Sequence, residues 1–161
     1  MGKKGRGMAR KLEIDDILAL ESEITEREDS DRLAVVVPPE KFHSLMLSLK
    51  NNEKYSFDFL LTHTAIDWKE TEQFELVYLL YSMVHGHHLQ VSVLVSRDEP
   101  IISTVSDIWT IATWQEREVF DLMGVLYDGH TDLRRLFLED GWKGHPLRKD
   151  YVDEDMLERP K

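Results

Sequence analysis

The sequence contains no cysteine. That excludes disulfides, thiolate nucleophiles, Cys-based zinc sites and Cys-ligated iron–sulfur clusters from these residues. No apolar run approaches the ~18 residues that a bilayer-spanning helix needs. The basic first residues lack the apolar stretch of a signal peptide, so none is expected. Positive charge is also scarce: 20 Lys and Arg stand against 31 Asp and Glu, for a net charge of −11. Such a balance repels phosphate and argues against a general nucleic-acid binder. GxSxG, HExxH and a Gly-rich dinucleotide fingerprint are missing as well, so the common hydrolase, zinc-protease and nucleotide sites find no support.

What is present suits one domain with a proper core: 161 residues, 42% of them apolar. Charge is segregated at the start. Residues 1–11 carry Lys3, Lys4, Arg6, Arg10 and Lys11 with no acid, and Glu13 to Asp31 is strongly acidic. The basic tip is expected to be a solvated terminus. Residues 1–30 are therefore set apart as a basic and acidic N-terminal segment with a helix. That helix is predicted over 13–27, where Ile14, Ile17, Leu18 and Ile24 fall on one face.

"RLAVVVP" (32–38) reads as a short buried strand. Pro38-Pro39 then suits the first turn of a helix running to about Lys50, with Phe42, Leu45, Met46 and Leu49 on one face. "FDFLLTHTAIDW" (57–68) is a turn entering a strand. "QFELVYLLYSM" (73–83) and "LQVSVLVS" (89–96) are strands joined in a hairpin by a turn containing Gly86. Ser103 to Trp109 is expected to be a short helical piece. Thr113 and Glu116 have capping-box spacing, and Gly124 suits the C′ position of the helix between them. The order predicts an α+β fold: a two-layer domain over 31–124, its mixed β-sheet packed by helices. After Gly124 periodicity is lost, so 125–161 is expected to be an extended C-terminal arm that binds a partner. Its content of Leu, Phe, Trp and Tyr is too high for a disordered linker.

Three clusters could carry chemistry. His85, His87 and His88 could bind a transition metal, but no carboxylate ligand sits at helical spacing, and a hairpin tip commonly bears solvated histidines. In "WQEREVFDLMG" (114–124), Glu116, Glu118 and Asp121 could serve acid–base work. A helix turns 100° per residue, however, so Glu116 and Glu118 point apart. Arg117 and Asp121 are i,i+4 partners. An ion-pair network between this helix and the arm is the better reading.

The third cluster is "DGHTDLRRLFLEDGWKGHPLRKDY" (128–151), which writes one pattern twice: Gly129-His130 before Leu133-Arg134-Arg135, and Gly144-His145 before Leu147-Arg148-Lys149. Its basic residues could hold phosphate. Asp132, Glu139, Asp140 and Asp150 would oppose a polyanion, and the interleaved Leu136, Phe137, Trp142 and Tyr151 look like a protein interface. Candidate interface residues are Glu116, Arg117, Glu118, Asp121, His130, Asp132, Arg134, Arg135, Trp142, His145, Arg148, Lys149, Asp150 and Tyr151. No catalytic, cofactor-binding or metal-binding residue is assigned. The competing reading, a stand-alone metal or phosphate enzyme, would use His130, His145 and the carboxylates.

The run "WQEREVFDLMGVLYDGHTDLRRLFLEDGWKGHPLRKDY" resembles the signature of the 30 kDa subunit of the proton-pumping NADH:quinone oxidoreductase, respiratory complex I. "FLLTHTAID", "FELVYLLYSM" and "IISTVSDIW" resemble the core of that family, and the resemblance covers about residues 31–152. One departure is visible: the family usually has proline after the first Gly-His, where this chain has Thr131. The resemblance implies a structural and assembly subunit of the peripheral arm, on the cytoplasmic side of the cell membrane. It would pack beside the large quinone-site subunit and iron–sulfur subunits. FMN, iron–sulfur clusters and quinone would be bound by those partners and not by this chain. Membrane-bound hydrogenases and archaeal coenzyme-dependent dehydrogenases use an equivalent subunit and form the alternative. Whether each Gly-His repeat grips the partner or the chain's own helix stays open.

Overall fold

The computed structural model describes residues 12–28 and 30–153. The basic tip at 1–11 and the end of the arm at 154–161 lie outside the described residues. Five strands form a mixed sheet in the order β1 (Thr25–Glu26), β2 (Ala34–Val36), β5 (His88–Ser96), β4 (Gln73–Tyr81), β3 (Phe59–Trp68). β2 and β5 run parallel, and the other neighbours are antiparallel. The helices α1 (Ile14–Leu18), α2 (Pro39–Asn51) and α3 (Ala112–Met123) complete the order, with α2 against β5 and α3 against β3. This is the α+β arrangement that the patterning predicts.

Strand periodicity places the core. On β4, Phe74, Leu76, Tyr78 and Leu80 alternate inward, and β5 adds Leu89, Val91, Val93 and Val95 from the same face. Phe42, Leu45, Met46 and Leu49 of α2 close over them, all buried. Pro39 begins α2, where the missing N–H costs nothing. At the β4–β5 hairpin, Ser82 N–H donates to His87 O (3.0 Å) and Gly86 has φ +71°, a conformation open to glycine.

Three local expectations are corrected. The helix expected over 13–27 ends at Leu18, and Thr25–Glu26 instead pairs with β2. A short acidic helix without a side-chain cap gains little by elongating, whereas the sheet edge offers bonds such as Arg27 N–H to Ala34 O (2.9 Å). The helical piece expected from Ser103 begins later. Ile101–Ser103 is β6, paired in parallel with β7 (Leu126–Asp128), and one turn follows in which Trp109 N–H reaches Val105 O (2.9 Å). Finally, Thr113 is not an N-cap. The turn before α3 already satisfies its first N–H groups, through Ala112 to Trp109 O and Thr113 to Thr110 O, and Glu116 is free to point into the core. Because β7 is hydrogen-bonded to β6, the first residues assigned to the arm belong to the body. Residues 129–153 contain no helix or strand.

Candidate interaction site: the arm clasped to helix α3

The arm is held by side chains rather than by regular structure, and α3 is its anchor. Asp121 lies on α3 with its carboxylate fully buried. One oxygen accepts the backbone N–H groups of Leu136 (2.9 Å), Phe137 (2.7 Å) and Leu138 (3.0 Å). The other pairs with Arg135 at 2.8 Å. Burial works against its charge, but the three N–H groups and Arg135 outweigh burial and hold its pKa below the ordinary value. The backbone cradle that could have taken a phosphate is filled by the chain's own carboxylate.

The two Gly-His repeats clasp opposite ends of α3. His130 sits at the N-terminal turn. Its Nδ1 accepts Asp132 N–H (3.0 Å), so the ring hydrogen is on Nε2, which donates to Thr113 O (3.2 Å). His145 sits at the C-terminal turn, where its Nδ1–H donates to Asp121 O (2.9 Å). The last carbonyls of a helix have no partner within it, and here each is met. Phe120 O accepts Gly124 N–H (2.9 Å) and Leu122 O accepts Leu147 N–H (3.0 Å). Met123 O accepts Arg148 Nε (2.7 Å). Arg135 and Arg148 also bring positive charge to the negative end of the helix dipole. Gly124 has φ +77°, and a Cβ there would lie 2.5 Å from His145 Nε2. Glycine is thus needed for both the turn and the clasp.

Arg117 works from the middle of the helix. It donates to the carbonyls of Arg134 and Arg135 (3.1 Å each), stacks 5.0 Å from the Trp114 ring and meets Asp132 at 3.5 Å. The expected i,i+4 pair of Arg117 with Asp121 is absent, because each turns to a different part of the arm. Glu118 does not join them: it is exposed and, among the described residues, makes no ion pair or hydrogen bond. Arg134 is 71% exposed and, among the described residues, pairs only with nearby Asp132 (2.9 Å).

A second anchor lies outside the predicted set. Asp67 of β3 is buried and paired in bidentate fashion with Arg97 (2.7 and 3.0 Å). It also accepts Lys149 N–H (2.8 Å), and Arg97 reaches Asp150 (2.6 Å). Arg97 lowers the pKa of Asp67 against the opposing effect of burial. The signal in the sequence is Asp67 itself, an acid in the inward phase of a strand that demands a buried cation. Trp142 donates its backbone N–H to Glu139 O (2.9 Å) and gives its carbonyl to Arg135 (3.1 Å). Tyr151 bonds Asp153 (2.7 Å).

Beneath the clasp lies a buried polar cluster. Glu116 is fully buried, its carboxyl touching Thr104 Oγ1 and Val105 N–H (2.8 Å), with His130 Nε2 at 3.8 Å. His63 donates from Nδ1 to Val77 O (3.1 Å) and accepts from the Tyr127 hydroxyl. Burial drives His63 down to about 4. At the hairpin tip, His85 and His87 bond the carbonyls of Glu53 and Tyr55 (2.9 Å each). Among the described residues no three His, Asp or Glu side chains are grouped to share a metal ion.

Residues 35–156 match the family described as the respiratory-chain NADH dehydrogenase 30 Kd subunit. The chain is 41% identical over 138 residues to the corresponding NADH-quinone oxidoreductase subunit of Moorella thermoacetica, covering 86% of this chain and 92% of that one. A solved trypsin-resistant fragment (1-134) of Nqo5 superposes with a TM-score of 0.62 at 30% identity, over 74% of this chain and 96% of the fragment. A chain of the membrane-bound sulfane sulfur reductase, an archaeal respiratory membrane complex, superposes with a TM-score of 0.75 at 26% identity, over 92% of each.

Proposed function

Because the chain belongs to the family of the 30 kDa subunit of respiratory-chain NADH dehydrogenase, we propose that it is a structural and assembly subunit of an NADH:quinone oxidoreductase. In this reading it holds no cofactor. FMN, iron–sulfur clusters and quinone belong to its partners, and the large quinone-site subunit is the one its arm packs beside. Among the described residues no helix is long and apolar enough to cross a membrane. In this reading the protein joins the membrane peripherally, on the cytoplasmic side, through the complex.

The carrying observation is the two-sidedness of the arm. Arg135, Arg148, His130 and His145 turn inward to α3, while Phe137 (64% exposed), Leu147 and Val152 (83%) point outward, beside the exposed Trp114 of α3. Apolar side chains held outward on a preformed scaffold are characteristic of an interface. The test is to tag this protein at native levels, solubilise the membranes and identify what co-purifies. The large quinone-site subunit and iron–sulfur subunits are expected; recovery of the tagged chain alone would overturn the reading. The likeness to the archaeal complex favours a second reading, an equivalent component of a related membrane-bound hydrogenase or dehydrogenase. A flavin-bearing NADH subunit in the same preparation supports the first, and a nickel–iron subunit the second.

A further inference from the structure

Glu116 and Asp121 are both fully buried acids of α3, yet their surroundings are opposite. Asp121 has a guanidinium and three N–H donors. Glu116 has no arginine or lysine against it among the described residues, and neighbouring Arg117 points away to the carbonyls of Arg134 and Arg135. The groups around Glu116 are otherwise neutral or acidic. Thr104 and Asp107 come from the segment before α3. Tyr78 of β4 and Tyr127 of β7 are close enough for its charge to oppose theirs. His63 of β3 stands behind Tyr127, and His130 comes from the root of the arm. The buried Tyr78 hydroxyl has no hydrogen-bond partner among the described residues.

Thr104 Oγ1 and Val105 N–H can donate to the ionised form, but full burial with no cation opposite among the described residues favours the carboxylic acid. Protonated on Oε2, Glu116 donates to Thr104 Oγ1, which donates on to Ser106 Oγ (2.7 Å), while Oε1 accepts Val105 N–H. We propose that Glu116 is a proton-operated latch at the root of the arm: protonated it locks the first Gly-His repeat to the body, and ionised it loosens that repeat. The route is His130. An ionised Glu116, 3.8 Å from His130 Nε2, competes with Thr113 O for the hydrogen that the ring already carries on Nε2. Turning the ring toward Glu116 withdraws Nδ1 from Asp132 N–H, the bond that closes the turn. Loss of the Glu116 proton therefore loosens the turn 130–132. Burial pushes the Glu116 carboxyl up to about 7, so the transition falls near neutral pH.

The test uses the full chain. Infrared difference spectra between about pH 6 and about pH 8.5 should show a protonated carboxyl band that disappears as pH rises. The band should be absent in Glu116→Gln and displaced in Thr104→Val. Trypsin cleavage after Arg134 or Arg135, normalised to an unstructured peptide at each pH, should rise at least about threefold across that range in the natural chain and stay flat in Glu116→Gln. If Glu116→Gln does not fold, the band and its displacement in Thr104→Val decide alone. The proposal is overturned if no carboxyl titrates above about pH 6, or if the cleavage ratio is the same with and without Glu116.

Discussion

Asp121 and Arg135 lie 14 residues apart and meet at 2.8 Å, and their contact fixes where the arm leaves the body. The carboxylate is fully enclosed, so replacing it with Ala strands Arg135 and unpairs the N–H groups of Leu136, Phe137 and Leu138 together. Removing one partner of a buried pair costs about 3–5 kcal/mol. Urea unfolding of Asp121→Ala should show a loss of that size. Asp121→Glu should also lose stability, because the longer acid cannot sit in the same cradle.

Gly124→Ala should damage the same region by another route. The residue must adopt φ +77°, which costs a non-glycine residue roughly 1–2 kcal/mol. The new Cβ would also displace His145 from Asp121 O and crowd Arg148. Faster hydrogen exchange at Leu147, whose N–H bonds Leu122 O, should report it. Unchanged exchange at Leu147 would mean that the second clasp does not depend on this glycine.

The sequence shows the sheet and α2 because their apolar residues repeat at strand and helix periods. The arm has no period. Its contacts join residues as distant as Lys149 and Asp67, 82 positions apart, through side chain to backbone bonds that leave no local pattern. The doubled Gly-His motif is legible as a repeat, and the inward acid at Asp67 is legible as an anomaly. What they bind depends on how the chain returns over α3, which only the fold supplies. The misread segments, Thr25–Glu26 and Ile101–Ser103, are strands of two and three residues, too short for alternation to emerge.

The clasp also sets where a protease should cut. A loose arm would be cut anywhere past Gly124. Here Arg135 and Arg148 are engaged by α3 while Arg134 is 71% exposed. Trypsin should therefore cut the natural chain slowly, after Arg134 or Lys143 first. Asp121→Ala should accelerate those cuts by more than about tenfold, the effect of a loss of about 1.4 kcal/mol. Equal rates in both chains would show that the arm opens independently of Asp121.

Stability should bend with pH at both ends of the buried polar cluster, in opposite senses. His63 has a folded pKa of about 4 against an ordinary 6.5, since burial disfavours its charged form. Its contribution is complete above 6.5 and is lost as pH falls toward 4, by about 3 kcal/mol in total. Glu116 is raised to about 7 from 4.5, so its contribution is complete below 4.5 and is lost as pH rises toward 7. Denaturant midpoints at about pH 4.5 and about pH 7 separate the two. His63→Asn should be hurt less than the natural chain by acidification, and Glu116→Gln should gain relative stability at neutral pH. If neither substitution changes the pH slope, these groups ionise alike in the folded and unfolded chain, and the cluster is not sealed from water.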